Sequence, residues 1–147
     1  APVRLVNDLG SWFSWKEDLF TDGWFLNNSG GPSWSWTPSS DGVLMGGEDW
    51  VDMRKNLGRL GLSNCTNMLL RYRALSQRGL FAVFLTWNDI FGTLTRTLVY
   101  SGSSSAWTSA TVDLRKLGHS PSKLRTIELF TESTACIEIE YILVFGA

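Results

Sequence analysis

Trp107-Thr-Ser-Ala-Thr-Val-Asp-Leu114, Lys123-Leu-Arg-Thr-Ile-Glu-Leu-Phe130 and Ala135-Cys-Ile-Glu-Ile-Glu-Tyr-Ile-Leu-Val-Phe145 close the chain, with Gly118-His-Ser-Pro121 and Thr131-Glu-Ser-Thr134 between them. Runs rich in β-branched and aromatic side chains, punctuated by such clusters, read as strands and turns. Alternation sharpens the reading. In the second run Arg125, Ile127 and Leu129 share one face while Thr126 and Glu128 point away; in the third, Ile137, Ile139 and Tyr141 alternate with Glu138 and Glu140. A sheet with one apolar and one polar face needs a second layer to cover it. No convincing helical spacing occurs elsewhere, so the cover is expected to be another sheet.

The upstream sequence supplies its strands. Val3-Arg-Leu-Val6, Trp12-Phe-Ser-Trp15 and Gly23-Trp-Phe-Leu26 read as short strands, broken by Gly10, Asp18 and Asp22-Gly23. Pro38-Ser-Ser-Asp-Gly42 is a turn leading into a strand at Val43-Leu-Met45. Glu48-Asp-Trp-Val-Asp-Met-Arg-Lys55 starts acidic and ends basic, which suits a helix dipole. It is short, and reads as a loop or single turn. In Asn67–Ala74, Met68, Leu70, Tyr72 and Ala74 face one way and Leu69, Arg71 and Arg73 the other. Leu80–Trp87 is apolar on both faces, as a central strand is, and Thr93–Tyr100 follows it. Such spacing of strands and turns predicts a single all-β domain over residues 1–147: a β-sandwich, specifically a jelly roll of two antiparallel sheets.

Composition narrows the function. A chain of 147 residues can bury a full core. Its net charge of −1 offers no case for nucleic acid or an anionic membrane, and its longest apolar run, Leu80–Leu85, is too short for a bilayer. No charged-then-apolar leader opens the sequence, so any export signal is expected to have been removed or to lie outside it. Cys65 and Cys136 permit one disulfide without requiring it. A single His119 and no paired cysteine spacing argue against zinc. No cofactor is expected; a structural Ca²⁺ held by Asp18 or Asp113 stays open as a candidate without a motif. Asn27-Asn-Ser29 and Asn64-Cys-Thr66 are sequons that matter only in a eukaryotic secreted protein. One histidine makes a weak case for a Ser-His-Asp triad, and no Gly-rich loop precedes a helix. Glu128, Glu138 and Glu140 are expected on adjacent strands, where two carboxylates could serve a glycosidase. The plainer reading, outward solvated residues of amphipathic strands, weighs more.

The surplus is tryptophan: eight in this chain. Some fill a core, but one interior does not need them all. Ser33-Trp-Ser-Trp-Thr37 puts two indoles on one strand face beside Gly and Pro, which favours a rim platform over core. Sugars bind such surfaces, because the C–H face of a pyranose stacks on an indole while its hydroxyls need Arg, Asn, Asp or Gln. Covering about 100 Å² of indole is worth roughly 2.5 kcal/mol at most. Two or three platforms therefore support roughly millimolar to micromolar binding. That suffices when the ligand is a repeating polymer.

The closing strands, Trp107-Thr-Ser-Ala-Thr-Val-Asp-Leu114, Leu124-Arg-Thr-Ile-Glu-Leu129 and Ile137-Glu-Ile-Glu-Tyr-Ile-Leu-Val144, resemble the end of galactose-binding-like jelly rolls, the fold of many carbohydrate-binding modules. The resemblance is one of pattern, runs from about Asn67 onward, and departs from the family at Glu140, where an Asp is common. It implies a non-catalytic polysaccharide binder, secreted or extracellular, appended to a polysaccharide-degrading enzyme. For a site on a concave sheet the candidates are Trp34, Trp36, Arg71, Arg73 and Trp87; for a loop site, Trp50, Asn88, Asp89 and Trp107. Arg71 and Arg73 also suit a carboxylate-bearing polymer, though ordinary solvated arginines are as good a reading. The alternatives are a protein-adhesion sandwich using the same aromatics and a small hydrolase using the carboxylates.

Overall fold

The runs of β-branched and aromatic residues pair into one long hairpin that is rolled up on itself. A computed structural model describes residues 3–6, 24–58, 60–76, 80–88, 91–132 and 135–146. Its strands are β1 (Val3–Val6), β2 (Trp24–Ser29), β3 (Trp34–Pro38), β4 (Val43–Gly47), β5 (Val51–Asn56), β6 (Asn67–Ala74), β7 (Phe81–Asn88), β8 (Leu94–Gly102), β9 (Thr108–Asp113), β10 (Leu124–Thr131) and β11 (Cys136–Phe145). The pairs nest: β7 with β8, β6 with β9, β5 with β10, β4 with β11, all antiparallel. Among the described residues this yields a six-stranded sheet, ordered β3-β4-β11-β6-β9 with β1 also on β11, and a five-stranded sheet, ordered β2-β5-β10-β7-β8. The expected sandwich and jelly roll are therefore present. Among the described residues no helix is long and apolar enough to cross a membrane.

Two expectations about the strands are corrected. The Glu48–Lys55 segment contains a strand, β5, because Val51 and Met53 alternate inward with Asp52 and Arg54 outward. The charge gradient that resembled a helix signature is spread along an inner strand of the sheet instead, between β2 and β10. On β11, a bulge between Ile139 and Tyr141 shifts the alternation. Ile142 and Val144 then face the core, and Tyr141 lies opposite Arg71, on the outer side. The Trp12–Trp15 strand expectation lies outside the described residues.

The interior between the sheets is filled by large side chains, among them Trp24, Trp36, Trp87, Tyr72 and Phe81. Trp24 donates its indole N–H to the Leu5 carbonyl at 2.6 Å and packs on Trp36 with ring centroids 5.0 Å apart. Trp87 stacks on His119 at 5.0 Å, where the turn closes at Gly118 with φ 79°, a conformation that favours glycine. Cys65 and Cys136 are free thiols. Cys136 lies at the Ala74 end of the β6–β11 ladder, while Cys65 precedes Asn67, which pairs with Phe145 at the other end. About seven residues of strand, roughly 25 Å, separate them, far beyond disulfide reach.

Candidate functional site

Each sheet carries charged and aromatic side chains on its outer face. On the five-stranded sheet, the inward alternation of Val51, Met53, Ile127, Leu129, Val83 and Leu85 sends Asp52, Arg54, Glu128, Phe130 and Phe84 outward. Arg96 of β8 reaches over β7 to β10. Its guanidinium lies 3.6 Å from the Phe84 ring centroid and grips Glu128 with two bonds, Nε to Oε1 at 2.9 Å and Nη2 to Oε2 at 2.7 Å. Arg54 adds a contact to Glu128 at 3.3 Å and to Asp52 at 3.3 Å, and Asn27 reaches Asp52 at 3.5 Å. Glu128 is only 1% exposed although it points away from the core.

These carboxylates titrate differently. Burial raises Asp52 to about 6 against the pull of Arg54, and its hydrogen bond with Glu128 adds to the rise. Burial pushes Glu128 the same way, but the Arg96 hydrogen bonds, the Asp52 contact and the two guanidinium charges outweigh it and hold Glu128 below the usual range. Asp52 is thus the first of the two to take up a proton as pH falls. Beside this polar frame, Trp50 stacks on Phe130, with centroids 6.1 Å apart and planes at 22°. A side chain at Gly30 would strike the Trp50 indole nitrogen, so glycine there lets the ring lie close against the backbone. Trp50 and Phe130 are half-buried, and Leu98 and Leu94 farther along the face are 52% and 60% exposed.

On the six-stranded sheet the outer face is organised around Trp107. Arg73 and Arg71 place their guanidinium carbons 4.7 and 5.3 Å from its ring centroid. Arg73 also binds Glu138 at 2.7 Å, and Arg71 binds Glu140 at 2.9 Å and the Ser109 hydroxyl at 3.3 Å.

The sequence candidates are dispersed by this architecture. Trp36 and Trp87 face the core at 2% and 1% exposure, which corrects the expectation that they are displayed as platforms. Alternation on β3 and β7 pairs them with Met45 and with the line of Phe81, Val83 and Leu85, so the indoles complete the interior. Trp34 shares the inward face of Trp36 and packs against the core's margin, half-buried. Arg71 and Arg73 do face outward, and Trp107 joins them. Trp50 and Asn88 both belong to the five-stranded sheet, but at opposite ends, since Trp50 precedes Val51, which pairs with Thr131, and Asn88 follows Trp87, which pairs with Leu124. The loop grouping is therefore corrected: its described members, Trp50, Asn88 and Trp107, do not form one site. Asp89 and Asp18 lie outside the described residues.

Glu128 stands on one sheet and Glu138 and Glu140 on the other, so they do not occupy adjacent strands as expected. Glu128 and Glu138 are not solvated either; each is buried and held by arginine. Asp52 and Glu128 are in hydrogen-bond contact, much closer than the roughly 5–9.5 Å a glycosidase pair requires. Asp113 caps the following turn and pairs with Arg115, and no group of three or more potential metal ligands occurs among the described residues. Sequence reasoning missed Asp52, Arg54, Phe84, Arg96 and Phe130. The signal was the alternation around Val51 and Met53 and the second apolar face of β7.

No protein-family model and no curated protein matches the chain. Solved structures do. A family 11 carbohydrate-binding module from Clostridium thermocellum, in complex with a β-1,3-1,4-mixed-linked tetrasaccharide, is similar with a TM-score of 0.61 at 11% identity, covering 98% of this chain and 96% of that one. The xylan-binding module from Paenibacillus barcinonensis Xyn10C gives 0.59 at 15% identity, covering 99% of each chain. The CBM22-1–GH10 portion of Clostridium thermocellum xylanase 10B, complexed with xylohexaose, gives 0.64 at 11% identity, covering 99% of this chain and 29% of that one. The chain has the β-sandwich fold of carbohydrate-binding modules, as the resemblance of its closing strands implies.

Proposed function

We propose that the chain is a non-catalytic module that holds a polysaccharide on the outer face of its five-stranded sheet. The observation that carries this reading is the adjacency of the Trp50–Phe130 stack to the Asp52–Arg54–Glu128–Arg96 network. The aromatic pair offers a surface for the C–H face of a sugar ring. The network offers donors and acceptors whose positions are already fixed, so little side-chain entropy is lost on binding. Its two arginines balance its two acids, which suits an uncharged sugar better than a uronate. Similar modules solved with neutral oligosaccharides support the same class of ligand.

The carboxylates have structural work that explains them without catalysis. The module is secreted and attached to a polysaccharide-degrading enzyme, which it keeps near its insoluble or polymeric substrate; weak repeated contacts achieve this. Affinity electrophoresis through gels containing mixed-linkage β-glucan, xylan or polygalacturonate tests the proposal. Retardation by a neutral polymer is expected, with no reducing ends released on long incubation. Free migration through all three gels, or product release, overturns it.

A further inference from the structure

The outer face of the six-stranded sheet holds a second cluster, one indole among paired charges, that the proposed site does not use. We propose that Trp107, Arg71 and Glu140 form a second site for uncharged sugar units, back to back with the first, so that one chain bridges two polysaccharide strands. This rests on the reading of the chain as a glycan binder and adds a second, independent contact.

Three neighbouring strands build the cluster. β9 follows Trp107, β6 supplies Arg71 and Arg73, and β11 supplies Glu138 and Glu140. Glu138 is 4% exposed and its carboxylate fixes Arg73 at 2.7 Å, so Arg73 serves to hold the indole in place. The Arg71–Glu140 pair differs in its acid: the Glu140 side chain is 34% exposed where that of Glu138 is 5% exposed, so this pair keeps a donor and an acceptor open to solvent at the margin of a half-buried indole. A pyranose resting on the ring would find a donor and an acceptor for neighbouring hydroxyls.

The charge count selects the ligand. Two arginines face two glutamates, and each guanidinium already has a carboxylate. A uronate would have to displace Glu140 while meeting the charge of Glu138. An uncharged sugar needs no such exchange. The same count weighs against the alternative that Arg71 and Arg73 suit a carboxylate-bearing polymer.

Geometry sets the consequence. The two sheets pack face to face about 10 Å apart. Their outer faces point in opposite directions, so one sugar chain lying flat on one face does not reach the other. Two strands held by one module are cross-linked, and the effective concentration of the second site rises once the first is engaged.

The test uses the whole chain with mixed-linkage β-glucan and xylan, read by calorimetry with their oligosaccharides and by light scattering with the polymers. The parent is expected to bind two oligosaccharides and to increase scattering by bridging. Trp107→Ala and Arg71→Ala are expected to halve the stoichiometry and abolish the scattering increase while gel retardation persists, with Trp107→Phe restoring part of it. Circular dichroism confirms that each variant is folded. If Trp107→Ala and Arg71→Ala bind and bridge as the parent does, the second site is wrong. If the parent binds one oligosaccharide, lost on Phe130→Ala alone, the second site is wrong and the proposed function stands. A parent that binds neither polymer overturns both.

Discussion

Arg96 and Glu128 are joined across an intervening strand: the guanidinium passes over the Phe84 ring at 3.6 Å and closes on the carboxylate at 2.9 and 2.7 Å. The pair lies on the outside of a sheet, yet the acid is almost wholly buried. The arginine, the ring beneath it and Arg54 together exclude water from it. An outward-facing carboxylate is thereby turned into a fixed part of the surface.

Glu128→Gln should destabilise the fold strongly. It removes the negative charge that two arginines face, and breaking a buried ion pair from one side costs about 3–5 kcal/mol. Arg96→Met should cost less, because Arg54 still meets Glu128 and half of the Arg96 side chain is already exposed. Urea unfolding at neutral pH measures both. Equal losses would mean that Arg54 contributes nothing.

Asp52 should make stability fall as pH rises. Its folded pKa, about 6, lies above the ordinary value of 3.8, so folding binds a proton between these limits. The contribution is fully present below the ordinary value, declines as pH passes from about 4 to about 6, and is lost above that. Glu128 has the opposite sign: its stabilisation is present above the ordinary carboxylate value and fades as pH falls. Asp52→Asn should remove the first slope and keep the second. Thermal unfolding of parent and variant from about pH 2.5 to about pH 7 covers both windows and separates them, and an unchanged upper slope in the variant would assign it to another group.

Trp36→Ala and Trp87→Ala should behave as core truncations. Both rings are buried, and loss of a buried indole costs about 3–5 kcal/mol. The fraction that remains folded should bind glycan with the affinity of the parent. Calorimetry on the folded fraction decides this; a specific loss of affinity with stability unchanged would return these residues to the site.

The thiols of Cys65 and Cys136 should both be alkylated under denaturing conditions without reductant. The antiparallel ladder holds them at opposite ends. A mass showing no added label would mean a bridge that this fold does not permit.

Fold class was legible in β6, β7, β10 and β11, whose alternation or double-sided hydrophobicity marks strands over almost the observed ranges. β5 was not, because a short run with acids before bases carries a helix signal and a strand signal at once, and only pairing with β10 and β2 decides between them. The bulge in β11 was invisible for a related reason: Glu140 and Tyr141 each fit either face, and the inserted residue is selected by the register with β6. The candidate site was harder. Exposure of an indole depends on which face of its strand meets the other sheet, and Ser33-Trp-Ser-Trp-Thr37 reads the same both ways. Arg96 and Glu128 are 32 residues apart, and nothing local to either announces that a strand between them supplies the ring over which they meet.

Affinity electrophoresis of Trp50→Ala and Phe130→Ala beside the parent, in neutral-polysaccharide gels, asks whether sugar lies against these two rings. We expect both variants to remain folded and to lose most of the retardation. Retardation equal to that of the parent in both would mean that sugar does not lie on the Trp50–Phe130 stack.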